Sequence, residues 1–226
     1  MPSNTKPLRI GLLLFPGFQS LDAFGPIDCL NVLSNDHPLT LSILSHSLDP
    51  VSTRPPQLPH RLGQSIVPTH TFANAPELDV LLVPGGHGTR LADSVEIKEA
   101  IKFIETIYPS LKYLITICTG SRLASLAGVL DGRKATTNKA VFKETESWIG
   151  EDGKKGSGVE WVAKARWVVD GNVWTSSGVS AGIDVILAWM GVVYGEGVAK
   201  EITEGIEYSR HEEAGDDPFA QLYKLV

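Results

Sequence analysis

Three apolar runs of strand length constrain this chain more than any other feature, because each closes in a glycine or proline turn and is followed by a segment of helical period. The runs are Ile10–Phe15, Val80–Val83 and Tyr113–Ile117, the last interrupted only by Thr116. A run that is apolar at nearly every position, rather than at alternate ones, fits a strand buried on both faces. The closing turns are Pro16-Gly17, Pro84-Gly85-Gly86 and Thr119-Gly120. The first run leads into a predicted helix at Asp22–Leu33, with Pro26 expected in its opening turn. The second leads into Val95–Tyr108, which carries Ile97, Ile101, Ile104 and Tyr108 on one face and Ser94 as its N-cap. The third leads into Ser121–Ala127, which stops at Gly128. Alternation of this kind predicts an α/β fold with a parallel sheet and helices on both faces.

The remaining chain fits that scheme. A further strand is expected at Leu39–Ser45. Trp167–Val169 and Val173–Thr175 bracket Asp170-Gly171-Asn172, a hairpin pattern. Helices are expected at Gly182–Tyr194 and around Val198–Tyr208. Ser47–Pro59, with its prolines, reads as an irregular excursion, and Glu151–Gly158 as a surface loop rich in glycine and lysine. From Ser209 the chain turns acidic, and only Phe219, Leu222 and Tyr223 are apolar enough to pack it down. No internal repeat or long linker divides the 226 residues, a length that buries a core without staples.

Charge and cysteine usage remove several classes of function. The net charge is −6 and no basic block is present, which argues against nucleic acid as a partner. The most apolar stretch, Ile183–Tyr194, carries Asp184 and is shorter than the roughly 20 residues a membrane span needs. The opening MPSNTKPLRI lacks the apolar core of a secretory leader, so a cytoplasmic protein with reduced thiols is expected. The two cysteines, Cys29 and Cys118, lie far apart and neither forms a CxxC pair, so neither a zinc site nor a disulfide framework is expected.

Ligands of open α/β sheets bind beyond the carboxyl ends of the strands, and three such ends here carry suggestive residues. In LITICTGSRLASLAG, Leu114 to Gly128, Cys118 sits where a strand turns sharply into a helix, as in a nucleophile elbow. Helix N–H groups and the positive dipole end would lower its pKa toward thiolate, whereas the plainer reading is a small apolar core residue. In DVLLVPGGHG, Asp79 to Gly88, Gly85 and Gly86 let backbone approach a ligand, and the Gly86 N–H is a candidate anion donor. The alternative is an ordinary tight turn. His87 reads as a residue of the pocket rim rather than a base. In LLLFPGFQSLDAFGPIDCL, Leu12 to Leu30, Asp22 is either a first-turn acid that serves its own helix or an acid that projects toward Cys118. Cys29, between Asp28 and Leu30 in the same helix, reads as core. Trp161, Trp167 and Trp174 read as core or interface residues.

These three segments, with ARWVVDGNVWTSSGVSAGIDVILA at Ala165 to Ala188, together resemble the ThiJ/PfpI superfamily, which has the class I glutamine-amidotransferase-like fold. The resemblance runs from about Arg9 to Glu207 in family order. It implies a flavodoxin-like three-layer sandwich with a mostly parallel central sheet. Residues 1–208 would form this single α/β domain and 209–226 an acidic tail packed on it. It also implies that Cys118 is the reactive thiol, and that the protein is a homodimer. Asp22 stands where deglycase and glyoxalase members carry Glu, and Thr119 where glyoxalase and protease-like members usually carry His. Leu21-Asp22 and Gly25-Pro26 with Cys118-Thr119-Gly120 look like the isocyanide hydratase branch. Relatives often read Ala-Thr-Thr-His where this chain reads Ala135-Thr136-Thr137-Asn138, and Asn cannot accept and release a proton as His does.

The resemblance therefore implies a cysteine enzyme that acts on a small molecule, without metal or organic cofactor. The expected reaction is hydration of an isocyanide to an N-formamide through a Cys118 thioimidate. Asp22 would supply and accept the proton, backbone N–H groups of Gly86 and Thr119 would stabilise the anion, and the Thr119 hydroxyl would hold water or nitrogen. Gly85, His87, Asn138, Ser177, Gly178 and Val179 would line the substrate pocket. Other readings of the same residues are a thiol protein that senses oxidation at Cys118, a lyase or cyclase of secondary metabolism, and a glyoxalase.

Overall fold

The computed structural model describes residue 6 and residues 8–91, 93–150 and 152–226. Residues 1–5 and 7, part of the opening in which no secretory leader is expected, and Glu151 at the head of the lysine-rich loop lie outside the described residues.

The apolar runs form the middle of a seven-stranded sheet. Its strands are β1 (Arg9–Leu13), β2 (Thr40–Ser45), β5 (His70–Thr71), β6 (Val80–Val83), β7 (Tyr113–Thr116), β10 (Trp167–Asp170) and β11 (Val173–Ser176), in spatial order β10-β11-β7-β6-β1-β2-β5. All neighbours run parallel except the β10–β11 hairpin. Short pairs outside the sheet are β3 (Val51–Ser52) with β4 (Ser65–Ile66), inside the expected irregular excursion, and β8 (Lys134–Ala135) with β9 (Glu160–Trp161). The central strands are apolar at nearly every position because helices cover both faces. On one face α1 (Ser20–Leu33) packs on α4 (Ala181–Tyr194), which packs on α5 (Glu196–Gly205). On the other, α2 (Val95–Ile107) packs on α3 (Gly120–Leu126). A last turn, α6 (Phe219–Leu222), lies in the tail. The result is the expected flavodoxin-like sandwich. Among the described residues no helix is long and apolar enough to cross a membrane.

Register brings the functional loops together. Leu12 pairs with Leu82 and Leu82 with Ile115, so β1, β6 and β7 end side by side. The chain leaves β1 toward β2 on one side and returns to β6 on the other, which makes the β1–β6 boundary the topological switch point. Asp22, Gly85 and Cys118 all follow these three ends.

Two local expectations are corrected. Pro26 is not in the opening turn of α1, since the helix starts at Ser20 and Pro26 lies in its interior. Its ring lies at the crossing of α1 and α4, where a Cβ at Gly182 would come 3.5 Å from Pro26 Cγ and a Cβ at Gly25 would come 2.8 Å from Ile183 Cγ1. The tail is not held by its aromatic and leucine side chains, because Phe219, Leu222 and Tyr223 are exposed. It is held by Ala220 and by Asp217, whose buried carboxylate meets the Lys139 ammonium at 3.3 Å. Hydropathy cannot reveal an anchor that is a charge. Other readings hold: Ser94 Oγ caps α2 by accepting from the Ile97 N–H, Cys29 is core, and Trp167 and Trp174 are buried.

At the opposite, amino-terminal end of the sheet, Asp79 fastens the strands electrostatically. Its carboxylate accepts from the Leu8 and Arg9 N–H groups, each at 3.0 Å, and pairs with the Arg9 guanidinium and the Lys112 ammonium. Burial alone would raise its pKa. The Arg9 side chain, the two N–H groups and Lys112 outweigh that and hold it well below the usual carboxylate range. The unfolded chain then binds the proton more readily than the folded one, so stability from Asp79 is complete above the unfolded pKa of about 4 and is lost below it. In urea titrations the midpoint should fall as pH drops from about 4 toward 2. Asp79→Asn should lower the midpoint at pH 7 and flatten that acid limb; an unchanged acid limb would show that other carboxylates dominate it.

Candidate active site

Cys118 is gripped by its backbone on two sides. It adopts φ +56°, a left-handed conformation that non-glycine residues rarely take. Its N–H donates to Ser177 O at 3.1 Å, and its carbonyl accepts from Thr137 Oγ1 at 2.9 Å and from Ser121 Oγ at 3.0 Å. Two residues on, a Cβ at Gly120 would lie 2.1 Å from Val83 O, so only glycine lets α3 start this close to the end of β6. The turn is an elbow, as the spacing suggested. It does not display the side chain at the surface, however, since Cys118 is only 5% exposed.

Four groups face the sulfur. Asn138 Nδ2 donates to Sγ at 3.3 Å. The orientation of that amide is set by its oxygen, which accepts from the Ala140 N–H at 2.9 Å and so caps the following turn. The N–H groups of Thr119 and Val179 also point at the sulfur. The fourth group is Asp22, on the other side. Its Oδ2 accepts from the Gly85 N–H at 2.9 Å, while Oδ1 is buried without a hydrogen bond of ordinary geometry and the thiol faces the carboxyl. Of the two readings open for Asp22, the structure selects the second: its carboxyl does not cap its own helix but reaches the loop after β6 and the thiol.

Burial dominates the electrostatics. It pushes the Cys118 thiol up to about 12, with the Asp22 charge adding to the rise; Asn138, Thr119 and Val179 act the other way but do not prevail. The expectation of a lowered thiol pKa is therefore corrected. A seven-residue helix offers a weak dipole, and desolvating a thiolate costs more than three donors return. Asp22 is raised by burial to about 7, with the Gly85 N–H and the thiol limiting the rise.

The other expected residues divide. The Gly86 N–H is not a free anion donor, because it donates to Thr119 Oγ1 at 2.9 Å. The Thr119 hydroxyl is correspondingly tied to Gly86 and to Thr89 Oγ1, 3.1 Å away, and knits two loops. The N–H of Thr119 remains at the sulfur, and its partner is Val179 instead of Gly86. Gly85 is required by contact: a Cβ there would lie 2.4 Å from Thr119 N. Gly178 is packed against Asn138, with only 2.5 Å between its would-be Cβ and Nδ2. Ser177 contributes backbone, accepting from Cys118 and donating to Arg166 O at 2.8 Å. His87 is not among the groups that face the sulfur; its ring lies between Arg61 at 3.1 Å and Arg90 at 3.5 Å. Desolvation and these two arginines lower its pKa.

Sequence reasoning missed Thr89, Thr137 and Lys139. The first two act through hydroxyls on loops, for which no periodic signal exists. Lys139 is a buried cation, for which hydropathy gives no signal. Among the described residues no group of three or more His, Cys, Asp or Glu comes together to hold a metal ion.

The chain is similar to several known proteins. The chain is 34% identical over 202 residues to an isonitrile hydratase of Pseudomonas putida, covering 89% of this chain and 79% of that one. It is 36% identical over 131 residues to a deglycase of Pyrococcus horikoshii, covering 57% of this chain and 69% of the relative. Among solved structures, a ThiJ/PfpI family protein from Pseudomonas syringae superposes with a TM-score of 0.72 at 27% identity, over 97% of this chain and 86% of that one. Residues 8–191 match the family model described as the DJ-1/PfpI family. A strained cysteine at the β7–α3 elbow, opposed by a buried acid from the β1 loop, thus sits within a family match that spans most of the sequence, and the chain belongs to the DJ-1/PfpI family.

Proposed function

We propose that this protein is a cysteine enzyme that hydrates a small isocyanide to an N-formamide. The observation that carries the reading is the opposition of a neutral thiol, Cys118, and a carboxyl, Asp22, that titrates near neutral pH. The similarity to an isonitrile hydratase over most of both chains supports the same reaction.

The chemistry suits that pair. An isocyanide carbon accepts a nucleophile and a proton at the same atom. A thiol that keeps its proton until the S–C bond forms supplies both: the sulfur bonds to carbon, and the proton passes through Asp22 to that carbon. The product is the thioimidate R–N=CH–S–Cys118. Water then adds to the same carbon with Asp22 as base, and its proton goes on to nitrogen. Collapse breaks the C–S bond, releases R–NH–CHO and restores the thiol. The N–H groups of Thr119 and Val179 and the Asn138 amide stabilise negative charge on sulfur as it attacks and leaves. Asn138 donates to sulfur but cannot relay a proton, which separates this site from a Cys–His hydrolase.

Burial and a raised thiol pKa weigh against an oxidation sensor, because oxidation follows thiolate character and exposure. The deglycase relative keeps a deglycase reaction as the competing enzyme reading.

The test is a panel of para-nitrophenyl isocyanide, methylglyoxal and simple amides with wild type and Cys118→Ala. Formamide production by wild type alone is expected; turnover of methylglyoxal without isocyanide turnover would overturn the reading. Asp22→Asn should lose about 10²–10⁴ in kcat/KM, the usual worth of a positioned acid–base group. Wild-type kcat/KM should rise with pH through an ionisation near 7, and that limb should vanish in Asp22→Asn. Stability should move oppositely. Because the folded pKa of Asp22 is raised, the folded state gains least above about pH 7, where a buried carboxylate must be carried. Asp22→Asn should therefore melt at a higher temperature than wild type at pH 8, and by less or not at all at pH 4.

A further inference from the structure

The C-terminal tail reaches the back of the thiol site through one buried ion pair. Lys139 Nζ and Asp217 Oδ2 lie 3.3 Å apart, with side chains 1% and 0% exposed. The same ammonium donates to Thr136 Oγ1 at 2.7 Å, Thr137 O at 3.0 Å and Ala165 O at 2.9 Å. Residues 136–139 thus wrap around a single buried charge. Two of them touch Cys118: the Thr137 hydroxyl holds its carbonyl, and the Asn138 amide meets its sulfur. On the tail side, Asp217 Oδ1 accepts from the Phe219 N–H at 2.8 Å, so the carboxylate is aimed by the start of α6. Nearby, Ala214 O accepts from the Arg166 N–H, and Arg166 O in turn accepts from the Ser177 N–H, next to the oxygen that holds Cys118 N.

This arrangement is expensive if it serves only stability. Burying an ion pair is often no more stabilising than an apolar pair of the same volume, while removing one partner leaves a buried charge that is strongly destabilising. What the pair does provide is direction. A salt-bridged ammonium with three oxygen acceptors fixes the backbone on both sides of Asn138, and a hydrogen bond to sulfur depends steeply on such placement.

We infer that the tail is a working part of the thiol site, with Asp217 acting through Lys139 as a positioning residue that holds Thr137 and Asn138 against Cys118. The inference needs only that Cys118 is the thiol of the site. It stands or falls separately from isocyanide hydration, because its test reads the thiol directly.

The test is a double-mutant cycle read by the rate of Cys118 alkylation with iodoacetamide in the full-length protein at fixed pH, with the modified cysteine identified by peptide mass. Asn138→Ala should slow alkylation about tenfold, the effect of losing a hydrogen bond to a charged group. Asp217→Asn should slow it to a similar extent, and the double variant should be no slower than either single one. Multiplying effects, or a rate in Asp217→Asn at or above that of wild type, would overturn the inference. Asp79→Asn, at the far end of the sheet, controls for general loss of stability and should alkylate at the wild-type rate; slowing there to the same degree would also overturn it. If Asp217→Asn does not fold, Lys139→Met with Asp217→Leu replaces the pair by apolar side chains. That variant should retain the fold and still alkylate as slowly as Asn138→Ala, and a wild-type rate would refute the positioning role.

Discussion

The hydrogen bond from the Gly85 N–H to Asp22 Oδ2 is the contact on which the site depends. It ties the first turn of α1 to the loop after β6, and that loop is tied onward to Thr119 by the Gly86 N–H and by the close approach of Gly85. Three strand ends are thereby locked into one cluster around Cys118. The bond also has an electrostatic consequence. One N–H is enough to keep a buried carboxyl in place but too little to hold it ionised, so its pKa settles near neutrality rather than at the usual carboxylate value.

The thiol follows the same logic. Three donors face the sulfur, yet enclosure prevails and the proton stays on. A protein that needed a standing thiolate would expose such a group or pair it with a cation. Here the neutral thiol and the poised acid form a unit in which a proton can move as a bond forms. Preorganised donors then matter for the moment of charge development and not for the resting state.

The strain at the centre is supported from around it. Cys118 at φ +56° and Val179 at φ +45° both place backbone N–H groups or side chains at the sulfur, and neither conformation is favourable in isolation. Their neighbours compensate: Ser177 and Thr137 hold the cysteine backbone, and the buried Lys139–Asp217 pair holds Thr137 and Asn138. The acidic tail, which in sequence looks like a solvated end, thereby belongs to the scaffold of the site.

The strands, the flanking helices and the position of Cys118 were legible in the sequence because burial on both faces writes continuous apolar runs, and because a strand-to-helix elbow demands glycine at a fixed spacing. Asp22 was legible as a residue of interest but not as a partner of Gly85, since a first-turn acid looks the same whether it caps its helix or crosses to another loop. Only the tertiary structure decided that choice, assigned the second N–H at the sulfur to Val179 rather than Gly86, and raised the thiol pKa where local helix rules would lower it. It also anchored the tail through Asp217 instead of Phe219, Leu222 and Tyr223. The physical reason is common to all four. Periodicity and turn chemistry are local and survive in the sequence, whereas desolvation and the pairing of polar groups depend on what is packed around each atom, and that is set by segments far apart along the chain.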